Sequence, residues 1–137
     1  MSVRGLGIDV VDVPAFAVQL TEPGSGFVAG TFTAGEQAAS QAGPGTPALA
    51  YAARFAAKEA FVKAWSVGRL GRAPQLGELD LREVELVSDP WSRPSLVLHG
   101  QVRDAVREAL GPDVAIHVSL SHDGPAAVAV VLLETPD

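Results

Sequence analysis

The chain has 137 residues and no cysteine, which excludes disulfides, thiolate nucleophiles and sulfur-ligated metal sites. No apolar run reaches the roughly 18 residues that cross a bilayer, and no signal peptide is predicted from the first residues. Basic residues are scarce, with ten Lys and Arg against 16 Asp and Glu and a net charge of -6. General nucleic-acid binding depends on neutralising phosphates, so this acidity disfavours it. We therefore expect a cytoplasmic protein that binds neither membranes nor nucleic acid.

The composition is that of one folded domain over residues 1–137, with 47% hydrophobic and 19% charged residues. Its most regular segment is an Ala-rich stretch without Gly or Pro, predicted as a long helix from about Ala48 to Ser66. Apolar side chains recur at helical spacing and predict a stripe that faces the core. These residues are Ala57, Phe61, Ala64 and Trp65.

Half of the basic residues lie between positions 54 and 72, where Glu59 is the only acid. They are Arg54, Lys58, Lys63, Arg69 and Arg72. Glu59 and Lys63 are four residues apart and share one helix face, so they could be an ordinary solvated pair worth about 0.3–0.5 kcal/mol. The concentration of cations around one carboxylate suits a phosphate-rich ligand with a divalent metal instead.

The remaining segments predict an α+β fold in which a mostly antiparallel sheet wraps the long helix. Strands are predicted at residues 3–13, 80–88, 95–99, 114–122 and 126–134, and the first and the last two should form the sheet centre. Shorter helices are predicted at residues 15–20, 101–110 and from a capping box at Thr33 and Glu36. Residues 21–30 are predicted as a Gly-rich loop, and residues 68–74 as a basic loop.

Asp9 interrupts the apolar pattern of the first strand. Burying an unpaired carboxylate is costly, so Asp9 needs a partner or an open strand end. Protein-bound magnesium often uses one or two carboxylates together with phosphate oxygens and water, which makes Asp9 and Glu59 candidate ligands. Sequence spacing does not establish that the two residues meet.

Four motifs resemble the holo-acyl-carrier-protein synthase family, and they follow in order along nearly the whole chain. Gly5–Val13 looks like the opening G-x-G-x-D motif, and Arg54–Ala64 resembles the signature W/F-x-x-K-E-x-x-x-K. Phe32-Thr33-x-x-Glu36 matches a third element and His117–His122 a fourth. The overall pattern is most similar to the actinobacterial members of the family.

The resemblance implies the transfer of 4′-phosphopantetheine from coenzyme A to a serine of apo acyl carrier protein. The reaction would require Mg²⁺, release adenosine 3′,5′-bisphosphate and serve fatty acid biosynthesis. It implies that Asp9 and Glu59 bind the metal and that Lys63 holds the pyrophosphate. Glu59 or a water on the metal would take the serine proton, or Glu59 is a ligand only.

The resemblance also implies a homotrimer that binds coenzyme A between subunits. Arg54, Lys58 and the loop arginines are further candidate substrate contacts. His117 and Ser119 match the family's coenzyme-binding strand, although His117 can equally be a hydrogen-bonded sheet histidine.

The chain departs from the family where an arginine commonly docks the acidic carrier, because no basic residue occurs between Arg4 and Arg54. Docking is then expected to use Arg69 and Arg72, or apolar contact through Phe16 or Phe27. The two arginines could instead bind coenzyme A phosphates or belong to a solvated loop. A metal-dependent phosphohydrolase or nuclease, and a non-catalytic oligomeric module, are the competing functions.

Overall fold

The structure is a computed structural model that describes residues 1–137. It is an α+β fold, as the sequence predicts, with one helix much longer than the others. In chain order the elements are β1 (Ser2–Asp12), α1 (Val13–Leu20), α2 (Phe27–Thr31), α3 (Ala34–Ala42), α4 (Pro47–Val67), β2 (Val84–Ser88), β3 (Pro94–Leu98), α5 (Gly100–Leu110), β4 (Ala115–Asp123) and β5 (Ala126–Thr135). None of the helices combines the length and the apolar character needed to span a membrane.

The larger sheet has three antiparallel strands in the order β1-β5-β4, with β5 in the centre. Its register aligns Ile8 with Val130 and Val130 with Ser119, so one row of side chains crosses the sheet. The segments predicted to form the sheet centre therefore do so. Strands β2 and β3 form a separate two-stranded sheet rather than extending the first one.

Helix α4 lies directly on β1 because two glycines allow the backbones to approach. A Cβ atom on Gly7 would lie within van der Waals overlap of the Ala60 carbonyl oxygen, and one on Gly5 would meet the Ala64 carbonyl in the same way. Only glycine fits such an approach. The predicted stripe from Ala57 to Trp65 is buried here, which confirms the orientation of the helix.

Helix caps determine how the chain enters α1 and α3. Asp12 caps α1, accepting a hydrogen bond from the Ala15 amide at 3.2 Å. Thr33 and Glu36 form the predicted capping box at the start of α3, with both reciprocal hydrogen bonds present. These caps fix the two short helices beside α4.

Two predicted segments differ from the structure. Residues 27–31 form the short helix α2 within the predicted loop, because Phe27 packs against Phe16 and Phe55 at ring distances of 5.6 and 5.7 Å. The strand predicted from Asp80 begins only at Val84. A 3-10 turn at Leu81–Glu83 precedes it, capped by the Asp80 side chain.

Candidate active site

An open cleft of about 330 Å³ lies between β1, α1 and α4, and both candidate metal ligands line it. Asp9 reaches the cleft from β1 because it lies on the same face of the strand as Gly7, which contacts α4. Glu59 reaches it from α4, where it is only partly buried. Tertiary structure therefore brings together two carboxylates that are 50 positions apart in the chain.

Lys63 completes the charged part of the site. Its Nζ donates hydrogen bonds to Asp9 Oδ1 at 2.9 Å and to the Ile8 carbonyl at 3.0 Å, while its side chain stays 53% exposed. Burial raises the pKa of Glu59, and the charge of Asp9 raises it further, whereas Lys63 lowers it. The arrangement favours an added positive charge between the carboxylates.

The donor set fits a hydrated divalent cation that shares its coordination with a ligand phosphate. No group of three or more His, Cys, Asp or Glu side chains forms a metal cage in the structure. Magnesium keeps several waters and commonly uses only one or two protein carboxylates with substrate phosphates. Asp9 and Glu59 supply this number of carboxylates, and a cation beside them would offset both the burial and the neighbouring Asp9 charge that raise the pKa of Glu59.

Lys58 does not occupy the predicted substrate-binding position. Its side chain is fully buried, and its Nζ donates to Glu36 Oε1 at 2.7 Å and to the carbonyls of Leu81 and Val84. These three acceptors use all three ammonium protons. Lys58 was predicted to contact substrate, but in the structure it forms an internal ion pair that connects α4 to α3 and β2.

Arg54 lies one turn before Lys58 and is only half buried. Its Nη1 donates to the Ala50 carbonyl at 3.1 Å, and its buried Nε has no hydrogen-bond partner. Desolvation lowers the pKa of the Arg54 guanidinium, while Glu36 and Tyr51 act in the opposite direction. The group therefore has donors free for an anion, although it does not line the cleft of Asp9 and Glu59.

Arg69 and Arg72 line a second cleft, of about 340 Å³, beyond the C-terminal half of α4. Val62 and Trp65 form part of its wall, and none of its lining residues also lines the cleft of Asp9 and Glu59. Arg69 Nε donates to the Ala73 carbonyl at 2.9 Å, which holds the loop closed on itself. Both arginines are thus on the α4 end that lies away from α1.

His117 and Ser119 are on the exposed face of the larger sheet, as their alternation predicts. His117 Nε2 lies 2.9 Å from Glu134 Oε1 on the neighbouring strand. This contact is the one expected of a hydrogen-bonded sheet histidine. It leaves Nδ1 and the adjacent Ser119 hydroxyl free for a ligand.

Sequence reasoning missed the residues with which α1 contributes to the cleft. Ala15 and Gln19 line it from α1, and Phe55 lines it from α4. The sequence did hold a signal for these residues. Asp12 and Pro14 mark the start of a helix, and within that helix Ala15 and Gln19 are four residues apart and therefore share one face.

Comparison with known proteins is consistent along the whole chain. The profile of the ACPS 4′-phosphopantetheinyl transferase superfamily matches residues 5–130. A holo-[acyl-carrier-protein] synthase of Mycobacterium bovis is 46% identical over 136 residues, covering 99% of this chain and 100% of that protein. The corresponding synthase of Nocardia farcinica is 43% identical and covers 99% and 90% of the two chains.

Among solved structures, the ACPS–CoA complex of Chronobacterium ammoniagenes superimposes with a TM-score of 0.90. The two chains are 37% identical, and each is covered completely. Full-length similarity in sequence and in structure, together with the motifs at Asp9 and Glu59, leads to one conclusion. This chain is an enzyme that belongs to the 4′-phosphopantetheinyl transferase superfamily, within its holo-[acyl-carrier-protein] synthase branch.

Proposed function

We propose that this protein transfers 4′-phosphopantetheine from coenzyme A to a serine hydroxyl of apo acyl carrier protein. Mg²⁺ is the proposed metal and adenosine 3′,5′-bisphosphate the second product. The observation that carries the proposal is the meeting of Asp9, Glu59 and Lys63 at one cleft in a chain of this superfamily. A structural relative's complex with coenzyme A supports the choice of donor.

In the proposed reaction the serine oxygen attacks the phosphorus that carries the pantetheine arm. A new phosphorus–oxygen bond forms, and the bond to the bridging pyrophosphate oxygen breaks. The electron pair of that bond leaves with adenosine 3′,5′-bisphosphate, and the serine proton passes to a base. Charge therefore builds up on the leaving group, where a fixed cation is most effective.

Asp9 and Glu59 would hold the magnesium, which when bound offsets phosphate charge and orients the pyrophosphate. Lys63 is the proposed pyrophosphate contact, since its ammonium is exposed and is held beside Asp9. Glu59 is one candidate for the proton acceptor, and a role as ligand alone is the other. Orientation of the serine against the phosphorus is the second contribution of the site.

The other candidate contacts are proposed to bind the remainder of coenzyme A. Arg69 and Arg72 border the second cleft, beyond the C-terminal half of α4, where their positive charge suits them to the donor's phosphates. Arg54, His117 and Ser119 are proposed to act across a subunit boundary, because none of them lines a cleft with Asp9.

The proposed assembly is a homotrimer with active sites between subunits. One face of β1 supports it, since Leu6, Ile8 and Val10 are 55%, 56% and 61% exposed in a single row. Such a contiguous apolar face marks an interaction surface. His117 and Ser119 lie at the far side of the same face, where a neighbouring subunit would bring them to a shared site. A cytoplasmic role in fatty acid biosynthesis is part of the same proposal.

Intact-mass spectrometry of an apo carrier protein incubated with the enzyme, coenzyme A and Mg²⁺ tests the function. Addition of one phosphopantetheine group to the carrier is the expected result, and chelation of the metal should prevent it. Degradation of a nucleic-acid probe or a phosphoester without carrier modification would indicate the hydrolase alternative. No change in either substrate would indicate a non-catalytic module.

A further inference from the structure

A small pocket at one end of the larger sheet is lined by three arginines. Arg4 near the start of β1 shares it with Arg69 and Arg72, which follow the end of α4. The other lining residues are apolar side chains and one glycine: Trp65, Gly68, Ala109, Leu110 and Leu133. No acid lines the pocket, although the chain has 16 Asp and Glu against ten Lys and Arg.

These three arginines have no carboxylate partner. Half of the ten basic residues form ion pairs with Asp or Glu, namely Lys58, Lys63, Arg82, Arg93 and Arg103. Asp137 is near enough to Arg4 to sense its charge, but hydrogen bonds from the Met1 amino group and the Ser2 hydroxyl are the main causes that lower the pKa of the Asp137 carboxyl. Three cations therefore converge at a place where an acidic chain supplies no counter-ion.

Backbone and side-chain contacts hold the guanidinium groups with their outer nitrogens free. Arg4 Nε donates to Thr135 Oγ1 at 2.8 Å, and Arg69 Nε donates to the Ala73 carbonyl at 2.9 Å. A Cβ atom on Gly68 would overlap the Arg4 carbonyl oxygen, so the end of α4 lies directly on the start of β1. The Nη atoms of both arginines remain available, and such planar forks suit the oxygens of a phosphate.

The charge of the pocket matches that of a phosphate dianion. Gly68 is the C-cap of α4 and Leu110 is the last residue of α5, so two helix C-termini adjoin the arginines. Each C-terminus carries about half of a negative elementary charge, and the two together offset about one of the three guanidinium charges. About two positive charges remain, and a phosphate group near neutral pH carries about as much negative charge.

The size and the position of the pocket separate it from the catalytic cleft. Its volume is about 30 Å³, which is room for one oxyanion and not for a nucleotide, because a single water takes about 10–15 Å³ of such space. Arg4 precedes Asp9 by five residues on β1, a distance of about 16 Å along the strand. A phosphate held at Asp9 therefore does not reach this pocket.

We propose that Arg4, Arg69 and Arg72 form a binding site for one phosphate oxyanion, either a free ion or the phosphomonoester end of a larger molecule. The site goes beyond the proposed transfer function and does not depend on it. Arg69 and Arg72 also line the second cleft, so an anion bound here fixes the loop that forms one wall of that cleft.

Isothermal titration calorimetry with inorganic phosphate tests the site, in chelator, without coenzyme A and at constant ionic strength set with chloride. One phosphate should bind per chain, and amide hydrogen exchange of residues 68–74 should slow on binding. Arg4→Gln and Arg72→Gln should each raise the dissociation constant by about tenfold, as expected for losing one charge-assisted contact. Arg72 is exposed in a loop, so its substitution preserves the fold.

Arg107→Gln is the matched control, because Arg107 is an exposed arginine of α5 that does not line the pocket. Its dissociation constant should equal that of wild type. Glycerol phosphate distinguishes the two sources of the anion: tighter binding than phosphate supports a phosphomonoester ligand, and equal or weaker binding supports the free ion.

Phosphate binding that Arg4→Gln leaves unchanged would overturn the inference, since Arg4 belongs to this pocket and not to the second cleft. An equal loss in Arg107→Gln would overturn it too, because it would show a general effect of net charge. So would heats no larger than those of chloride. None of these measurements uses the transfer reaction, so each outcome leaves the proposed function to its own test.

Discussion

At the scale of single residues, Glu59 and Lys63 differ in what their surroundings do to them. Glu59 is partly buried beside a second carboxylate, and both conditions oppose its charge. Lys63 is half exposed, and its ammonium offsets part of this negative charge by pairing with Asp9. Substitutions at both positions should therefore lower activity, but removing the Glu59 charge should stabilise the protein whereas removing the Lys63 charge should leave its stability nearly unchanged.

Glu59→Gln should strongly reduce transfer while stabilising the metal-free protein at neutral pH. The pKa of Glu59 is raised in the folded state above its ordinary 4.5, so the folded chain binds more protons than the unfolded chain as pH rises past that value. The contribution of Glu59 to the free energy of unfolding of the wild type therefore falls with rising pH, and it becomes constant above the pKa that Glu59 has in the folded protein. Thermal melts in chelator should give equal stability near pH 4 and a higher melting temperature for the variant at pH 7.

Activity of Glu59→Gln should fall by roughly 100-fold or more, the scale of losing one charged group that acts on a transition state. Glu108→Gln is the matched control, since Glu108 is exposed on α5 and should leave both readouts unchanged. A variant that melts lower than wild type at pH 7 would contradict the assignment of Glu59 as a strained carboxylate.

Lys63→Met should lower kcat/KM by roughly 100-fold with little change in melting temperature. The methionine keeps the aliphatic stem but removes the ammonium, and solvent screens the ion pair from the half-exposed Lys63 side, so the pair contributes little to stability. Lys63→Arg keeps the charge and should retain more activity than the methionine variant. Loss of stability with normal turnover would instead make Lys63 a structural residue.

At the scale of elements, the buried ion pair decides how α4 is held. Glu36 caps α3 through its bond with the Thr33 amide, accepts Lys58, and also accepts the Leu86 amide at 3.0 Å. Lys58 in turn binds the Leu81 carbonyl in the 3-10 turn and the Val84 carbonyl at the start of β2. One pair therefore connects three elements directly beside Glu59.

Lys58→Met should destabilise the protein by about 3–5 kcal/mol, because it leaves Glu36 charged and buried without its partner. Adding Glu36→Gln should recover only part of this loss, since the carbonyls of Leu81 and Val84 stay unpaired. Chemical denaturation measures both changes.

The control for this pair is Arg82→Met, which removes the exposed Arg82–Asp80 ion pair and should have far less effect on the free energy of unfolding, because solvent screens the pair. Similar losses for Lys58→Met and Arg82→Met would show that burial of the Glu36 pair has little effect on stability.

At the scale of the whole molecule, one face of the larger sheet is apolar and exposed to solvent, although the chain as a whole is acidic. Side chains of β1 and β5 form this face, including Val130, while α4 covers the opposite face. A continuous exposed apolar row of this kind is uncommon on the surface of monomeric proteins. Assembly through this face is the proposed way in which it is covered.

Ile8→Glu should convert the proposed trimer to monomer, because it introduces a charge into the middle of the apolar row. Sedimentation should give about three times the 14.1 kDa chain mass for wild type and one chain for the variant. Transfer activity should fall with assembly. Val87→Glu, on β2 outside this sheet, should leave the mass unchanged, and a monomeric wild type would reject the proposed trimer.

The sequence by itself determined the long helix, the capping box and the family. An Ala-rich run without Gly or Pro has one favourable local structure, and Thr33 with Glu36 satisfies backbone donors without any distant residue. Strand alternation likewise assigned His117 and Ser119 to one face. In each case the interactions that decide the outcome lie within a few positions of one another.

Only the tertiary structure decided which of the two helix lysines is buried and which lies beside Asp9. Lys58 and Lys63 lie on one helix about 140° apart, and helix periodicity alone suits either of them to a phosphate, although the motif resemblance assigned the pyrophosphate to Lys63. Packing of α3 and β2 against one side buries Lys58, while the cleft beside β1 leaves Lys63 exposed. The same limit hid α2 and the part of the cleft that α1 lines. Their positions depend on contacts between residues far apart in the chain, which local spacing does not encode.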